Sequence, residues 1–262
     1  MPGTSLEAPP VRAACVGALW TSVDVVQRTG STNADLLARG GPEGQVLVAE
    51  EQTAGRGRMG RSWVSQPGAS LTFSVLLRPA AVPPARRGWL PLLAGVAVAN
   101  AVRSVAGVSA TLKWPNDVLI ADRKLAGILA EQSGDTVVVG IGLNVATPAG
   151  ALPTSPTGLP ATSLLVEGAD VAREVLLIEV LRHLERHYLS FRENPDPGSC
   201  GLLASYLALC ATLGRDVRIE LPGDHSMVGV AEDVDTEGRL LIREAEATSL
   251  TPISAGDIIH LR

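Results

Sequence analysis

The stretch that most narrows the possible folds runs from Gln52 to Trp63, QTAGRGRMGRSW. Runs of strand character flank it, Gln45 to Glu50 before and Ser70 to Leu77 after, so the loop joins strand to strand. Gly55, Gly57 and Gly60 have the spacing of a dinucleotide fingerprint. That fingerprint must open a helix and be followed about 20 residues on by an acidic residue. Neither condition holds, so a Rossmann reading is excluded. A kinase glycine-rich loop also joins two strands, but no His-Arg-Asp catalytic loop follows. What remains is a bendable backbone carrying Arg56, Arg58 and Arg61 and closed by Trp63, whose flat face suits a ring. From Gln52 to Asn116 there is no Asp or Glu, although the whole chain is net −5. Guanidinium forks grip anions through paired charge-assisted hydrogen bonds, so an anionic ligand is expected. The plainer alternative, a solvated basic loop, does not need the glycine spacing.

Lysine use points to a second stretch. The chain has twenty arginines but only two lysines, Lys113 and Lys124. An ammonium is a compact charge with a movable proton, which arginine does not offer. Both lysines fall in dense motifs, KWPNDV and RKLAGILAE. The three cysteines (Cys15, Cys200, Cys210) show no metal-type spacing and fit a reduced, cytoplasmic protein. The start lacks a secretory pattern, and the apolar stretches are read as too short for a membrane span. Mild acidity argues against broad nucleic-acid binding.

In order, the chain predicts a loose lead with a short helix, then a strand at Val23–Val26. A helix over Gly30–Leu37 is capped by Ser31 or Thr32 and ended by Gly40. Trp89–Val105 reads as a buried helix. Leu112–Ile120 reads as a strand end, a tight turn and a short strand. Strands follow at Lys124–Glu131 and Thr136–Val145, the latter interrupted by Gly140 and Gly142, which mark a close approach. Residues 146–161 read as a flexible surface loop. Helices are expected at Val171–Arg192 and Ser199–Leu213; His183 and His187 on the first fit a solvated face better than a metal site. Five short strands after Arg215, with turns such as Pro222-Gly223-Asp224, suggest a small barrel resting on the main domain.

GRGRMGRSW, KWPNDV, RKLAGILAE and GIGLNV, in this order after GSTNADLL, closely resemble the biotin protein ligases, nearest to short actinobacterial members. The resemblance spans about residues 25–262. It implies an α/β (α+β) fold with a mixed sheet like that of class II aminoacyl-tRNA synthetases and lipoate ligases. Residues 1–212 would form the catalytic domain and 213–262 an SH3-like barrel. It implies ATP-dependent joining of biotin to a lysine of a biotin carboxyl carrier domain, from an acyl-CoA or pyruvate carboxylase, through biotinyl-adenylate. Mg²⁺ would accompany ATP, with no ligands assigned. Catalytic roles would fall to Arg58, Lys124 and Asp117. Biotin would be held by Ser31, Thr32, Asn33, Gln52, Gly55, Arg56, Gly57, Arg58, Lys124, Gly127 and Gly142. ATP and the adenylate would be held by Arg58, Arg61, Trp63, Lys113, Asn116, Lys124 and Asn144. Too few residues precede the catalytic part for the DNA-binding domain of some relatives, so no DNA binding is expected. The residues agree with this on their own terms: bringing two anions together needs fixed cations. Asp117 suits reception of an amine, though it also suits a turn after Asn116. A lipoate ligase and a non-catalytic sensor of biotin or nucleotide are the competing readings.

Overall fold

The computed structural model describes residues 6–153, 159–221 and 225–261. A seven-stranded mixed sheet forms its centre, in the order β1-β2-β3-β7-β6-β5-β4. The strands are β1 (Ser22–Thr29), β2 (Gln45–Gln52), β3 (Ser70–Leu77), β4 (Ala110–Lys113), β5 (Asp117–Ile120), β6 (Arg123–Ser133) and β7 (Thr136–Asn144). Only β1 and β2 run parallel, linked by the short helix α2 (Thr32–Arg39); every other neighbouring pair is antiparallel.

Side chains alternate across a sheet with a period of two, and both faces are covered here. On one face α2 packs Leu36 against Leu47, Leu76 and Val138. The other face carries α3 (Trp89–Ala106) and α4 (Arg173–Glu193) over Val46, Val48, Val75, Val137 and Val139. This is why all eight residues of β3 are buried. Pro84–Ala106 is long and apolar enough to cross a membrane by length and composition, which corrects the reading that no stretch is. In the fold, α3 lies in the core, with Leu90, Leu92, Leu93 and Val96 to Ala99 buried.

The expected elements occur with small shifts. Ser31 caps α2 through the Ala34 N–H, and Gly40 ends it at φ 59°. The lead contains α1 (Ala8–Cys15), which buries Val11 and Cys15. Its approach is fixed by the Leu6 N–H, which donates to buried Glu50, itself 2.8 Å from Arg173 of α4. Burial raises the Glu50 pKa, but Arg173 and the Leu6 N–H outweigh that and leave it lowered.

One helix is shorter than expected. Only α5 (Leu202–Leu207) forms, after Gly201 at φ 79°. The chain beyond it leaves the helix to pair with β4: Leu112 N–H donates to Leu209 O, and Ala211 N–H to Leu112 O. That pairing leads into the second sheet. Its strands are β8 (Asp216–Leu221), β9 (His225–Val234), β10 (Leu240–Arg243), β11 (Thr251–Ile253) and β12 (Asp257–His260), in the antiparallel order β11-β10-β9-β8-β12. The predicted turn at Pro222-Gly223-Asp224 lies outside the described residues. The small sheet shares one apolar core with the main body, through Val217, Ile219, Ala231 and Ile242. The Trp114 indole N–H donates to Gly238 O across the junction.

Candidate active site

One cross-strand row builds the floor of a cavity of about 720 Å³. Thr72 of β3 lies opposite Gly142 of β7, which lies opposite Gly127 of β6. Gly127 pairs with Asp117 of β5, and Asp117 with Lys113 of β4. All five line the cavity. Two glycines in the middle of the row leave a bare strip of backbone. Trp63 fills it: a Cβ at Gly142 would lie 2.2 Å from the indole, and one at Gly127 would lie 3.3 Å away. The indole Nε1 is buried without a hydrogen-bond partner.

The polar end is made by α2 and its neighbours. Gln52 Oε1 accepts from the Thr32 backbone N–H at 2.8 Å and lies 3.1 Å from the Thr32 hydroxyl. Ser74 Oγ is 2.6 Å from both Thr32 Oγ1 and Asn33 Oδ1. Asn33 reaches the sheet because Gly140 has no side chain; a Cβ there would stand 2.3 Å from Asn33 Oδ1.

Cations gather at the other end. Lys124 Nζ lies 2.6 Å from Asp117 Oδ1. The contact is an ion pair out of line for a hydrogen bond, since Asp117 Oδ1 has no hydrogen-bonding partner. Burial pushes the Lys113 ammonium below its ordinary pKa; Asp117 partly offsets this and Lys124 adds to it. Burial likewise lowers Arg58, opposed by Asp257 and Asp117. Arg58 donates weakly to Asn116 Oδ1 (3.3 Å) and Gly256 O (3.4 Å).

The glycine-arginine loop arches over this end. Its stems close through Trp63 N–H to Gly55 O and Gly57 N–H to Arg61 O. The tip turns at Met59 (φ 54°) and Gly60 (φ 73°). Arg61 donates to Asp257 Oδ1 at 2.5 Å, so the small sheet holds one side of the loop. On the opposite flank, Asn144 Nδ2 donates to Thr162 O, and residues 160–162 pair with the Lys124 backbone. Ala151, Pro153, Leu159 and Ala161 line the cavity, so the segment expected to be a surface loop contributes to the site's wall. Its residues 154–158 lie outside the described residues.

Of the site residues expected from the sequence, all but Gly55 line the cavity. Gly55 is buried at the loop's base, where a Cβ would stand 2.4 Å from Trp63 O. Sequence reasoning missed Asp257, whose turn SAGD carries no motif. It also missed Ser74, hidden within an apolar strand. Among the described residues no three His, Cys, Asp or Glu side chains form a metal-binding group. The pair His183 and His187 is partly exposed on α4, with Arg186 against His183.

A mixed sheet, a cavity with hydrogen-bonding groups at one end and cations at the other, and a C-terminal antiparallel sheet define the architecture of a protein ligase that handles an anionic substrate, and the comparisons with known proteins agree. Residues 23–145 match the biotin/lipoate A/B protein ligase family, and residues 212–261 match the biotin protein ligase C terminal domain. The chain is 44% identical to a biotin–[acetyl-CoA-carboxylase] ligase of Mycobacterium tuberculosis, over 94% of this chain and 91% of that one. It is 34% identical to the ligase of the same name from Paracoccus denitrificans, covering 87% of this chain and 97% of the relative. The biotin protein ligase from Aquifex aeolicus in complex with biotin and ATP superposes with a TM-score of 0.77 at 29% identity, over 93% of this chain and all of that one. The chain belongs to the biotin/lipoate A/B protein ligase family, as a biotin–protein ligase.

Proposed function

We propose that the cavity performs both half-reactions of biotin attachment. In the first, the biotin carboxylate attacks the α-phosphorus of ATP and pyrophosphate leaves. In the second, a lysine amine of the acceptor attacks the acyl carbon of biotinyl-adenylate; AMP leaves and an amide forms. The observation that carries this reading is the convergence of six separated segments on one cavity: Ser31–Asn33, Gln52, Arg56–Trp63, Lys113–Asp117, Lys124–Gly127 and Gly142–Asn144. Uncharged hydrogen-bonding groups line one end, suited to a ureido ring. Cations line the other, suited to phosphate and carboxylate.

On this reading Lys124 and Arg58 offset the repulsion between the two anions as they approach. Asp117 attracts the acceptor ammonium and takes its proton. Thr32, Asn33 and Gln52 hold the ureido ring; Trp63 and Asn144 hold adenine. Mg²⁺ comes with the ATP phosphates. The two carboxylates lining the cavity, Asp117 and Asp257, each already sit on a cation, so they do not form a Mg²⁺ site of their own. The acceptor is the biotin carboxyl carrier domain of an acyl-CoA or pyruvate carboxylase, and no DNA or membrane takes part. Three free cysteines support a reducing, cytoplasmic setting. Residues 1–212 are the catalytic unit and 213–262 an appended SH3-like barrel.

The test is ATP–pyrophosphate exchange with biotin and with lipoate, followed by transfer to a carrier domain. Biotin-dependent exchange and amide formation are expected. Exchange with lipoate alone would make this a lipoate ligase, and binding without exchange a sensor.

A further inference from the structure

Glu131, on β6, lines a neighbouring groove of about 850 Å³ and does not line the ligand cavity. Its carboxylate nevertheless touches two groups that do. Oε2 accepts from Asn33 Nδ2 at 2.8 Å, and Oε1 lies 3.5 Å from Arg56 Nη1. The ion pair with Arg56 is partly exposed (59% and 25%), too solvated to serve as a stability device.

The bond to Asn33 does something more specific. Asn33 Nδ2 also donates to Leu129 O at 3.1 Å. A carboxylate and a carbonyl both only accept, so the amide nitrogen must face β6. The amide oxygen is thereby turned to Ser74, whose hydroxyl donates to it. A hydroxyl has a single hydrogen. With the Ser74 proton spent on Asn33, the Thr32 proton stays between Ser74 and Gln52. The Gln52 oxygen is already occupied by the Thr32 backbone N–H, which leaves the Gln52 amide nitrogen to donate elsewhere. Glu131, with Leu129 O as the weaker second acceptor, thus fixes the Asn33 amide, and through Ser74 and Thr32 it completes a wall whose far end is set by the Thr32 N–H on Gln52. A ureido ring presents a carbonyl flanked by N–H groups, and it binds well only to a wall of fixed polarity.

We propose that Glu131 is a positioning residue for biotin recognition, setting the orientation of the Asn33 amide and holding Arg56 at the polar end of the cavity. The proposal rests on the biotin-ligase reading above. Glu131→Ala should raise KM for biotin about ten- to a hundredfold, the range for losing a hydrogen bond to a charged group. The KM for ATP and kcat should stay within about threefold, as for loss of uniform binding of one substrate. Because Glu131 acts through Asn33, adding Glu131→Ala to Asn33→Ala should do little further harm. Glu131→Met keeps the length of the stem without an acceptor and should show the same split if the alanine variant does not fold.

Pyrophosphate exchange with each substrate varied in turn is the measurement. An unchanged KM for biotin, a parallel rise in both KM values, or additive losses in the double variant would overturn the assignment. Absence of biotin-dependent exchange by the unsubstituted chain is a separate outcome. It would overturn the ligase reading itself, and this assignment with it.

Discussion

Lys124 Nζ and Asp117 Oδ1 stand 2.6 Å apart in the cavity. The two residues proposed for opposite ends of the reaction are therefore partners before any ligand arrives. A bulge in the β5–β6 pairing, between Val118 and Leu119, accompanies this geometry: Asp117 faces Gly127 while Leu119 faces Lys124. The pairing suggests an exchange. The anion of the adenylate would take over the ammonium, and Asp117 would be released to receive the incoming lysine.

Asp117→Asn should separate the half-reactions. The substitution keeps side-chain size and removes the charge and nearly all basicity. Biotin's carboxylate is already ionised, so adenylation does not need a base. Transfer needs one, and should slow by about 10²–10⁴-fold, the span of a positioned acid or base. Single-turnover transfer from preformed adenylate, run from pH 7 to about 9.5, is the assay; higher pH should restore part of the rate by supplying free amine. A parallel fall in adenylation would instead assign Asp117 to Lys124's placement.

Gly142→Ala should disable the site with little loss of fold. Its Cβ would stand 2.2 Å from the Trp63 indole, and a rigid ring must leave to make room. The backbone of Gly142 has ordinary strand geometry, so the strand itself tolerates alanine. Exchange activity should drop at least about tenfold, since displacement of about an ångström at a site is that costly or more. The Tm should fall by only a few degrees. The difference in tryptophan emission between this variant and the same variant lacking Trp63 should report the move, and wild-type emission with wild-type activity would mean that the indole does not pack on Gly142 in solution.

The elements of this fold were legible where period and punctuation were strong. Ser31 and Gly40 marked α2, and Gly140 and Gly142 marked a close approach in β7. What made the approach could not be read: the partners are Asn33 and Trp63, some 107 and 79 residues away in sequence by numbering, brought in by sheet order. Helix propensity in Ser199–Leu213 was outvoted by pairing of its second half with β4. The row Thr72–Gly142–Gly127–Asp117–Lys113 exists only once register is known, which is why a turn role for Asp117 stayed open in the sequence. Asp257 stayed hidden because its partner, Arg61, belongs to another segment and no motif links them.

Stability should begin to fall in mild acid, through two partly buried histidines. Burial holds the imidazoles of His187 and His260 down to a pKa of about 4. In the unfolded chain each takes up a proton near pH 6.5. Between these values the unfolded state binds more protons, so stability is fully present above about pH 6.5 and declines as pH drops toward 4. The groups around His260 are Lys113, Arg215 and Asp122, and those around His187 are Arg186 and His183. Glu50 acts at lower pH, its contribution being lost below about pH 4.5, its ordinary range. Thermal unfolding from pH 7.5 to 5 should show a falling Tm, and His187→Gln should flatten the slope. An equal slope in that variant would remove His187 from the account.

The Arg61–Asp257 contact makes a final prediction about the loop. Arg61 is one-third exposed and Asp257 less, and their 2.5 Å contact joins the loop tip region to the start of β12. Arg56 is held more loosely, at 3.5 Å from Glu131. Ordering loop residues costs about 1–2 kcal/mol each, and few interactions are available to offset it without ligand. Asp257→Asn keeps the shape of the anchor and removes its charge. The loop, residues 55–62, should then exchange its amide hydrogens faster, while the sheet beneath keeps its protection. If the loop over the cavity retains biotinyl-adenylate, the intermediate should leave the variant faster, and freed adenylate should label lysines of bystander proteins. Arg58→Gly should give the same leak by removing a cation from the ligand's side of the loop. Hydrogen exchange with and without adenylate, beside the adenylate off-rate, distinguishes the two. Asp257→Asn should alter the free loop, and Arg58→Gly chiefly the bound state. Unchanged exchange and off-rate in Asp257→Asn would mean that the small sheet does not anchor the loop in solution.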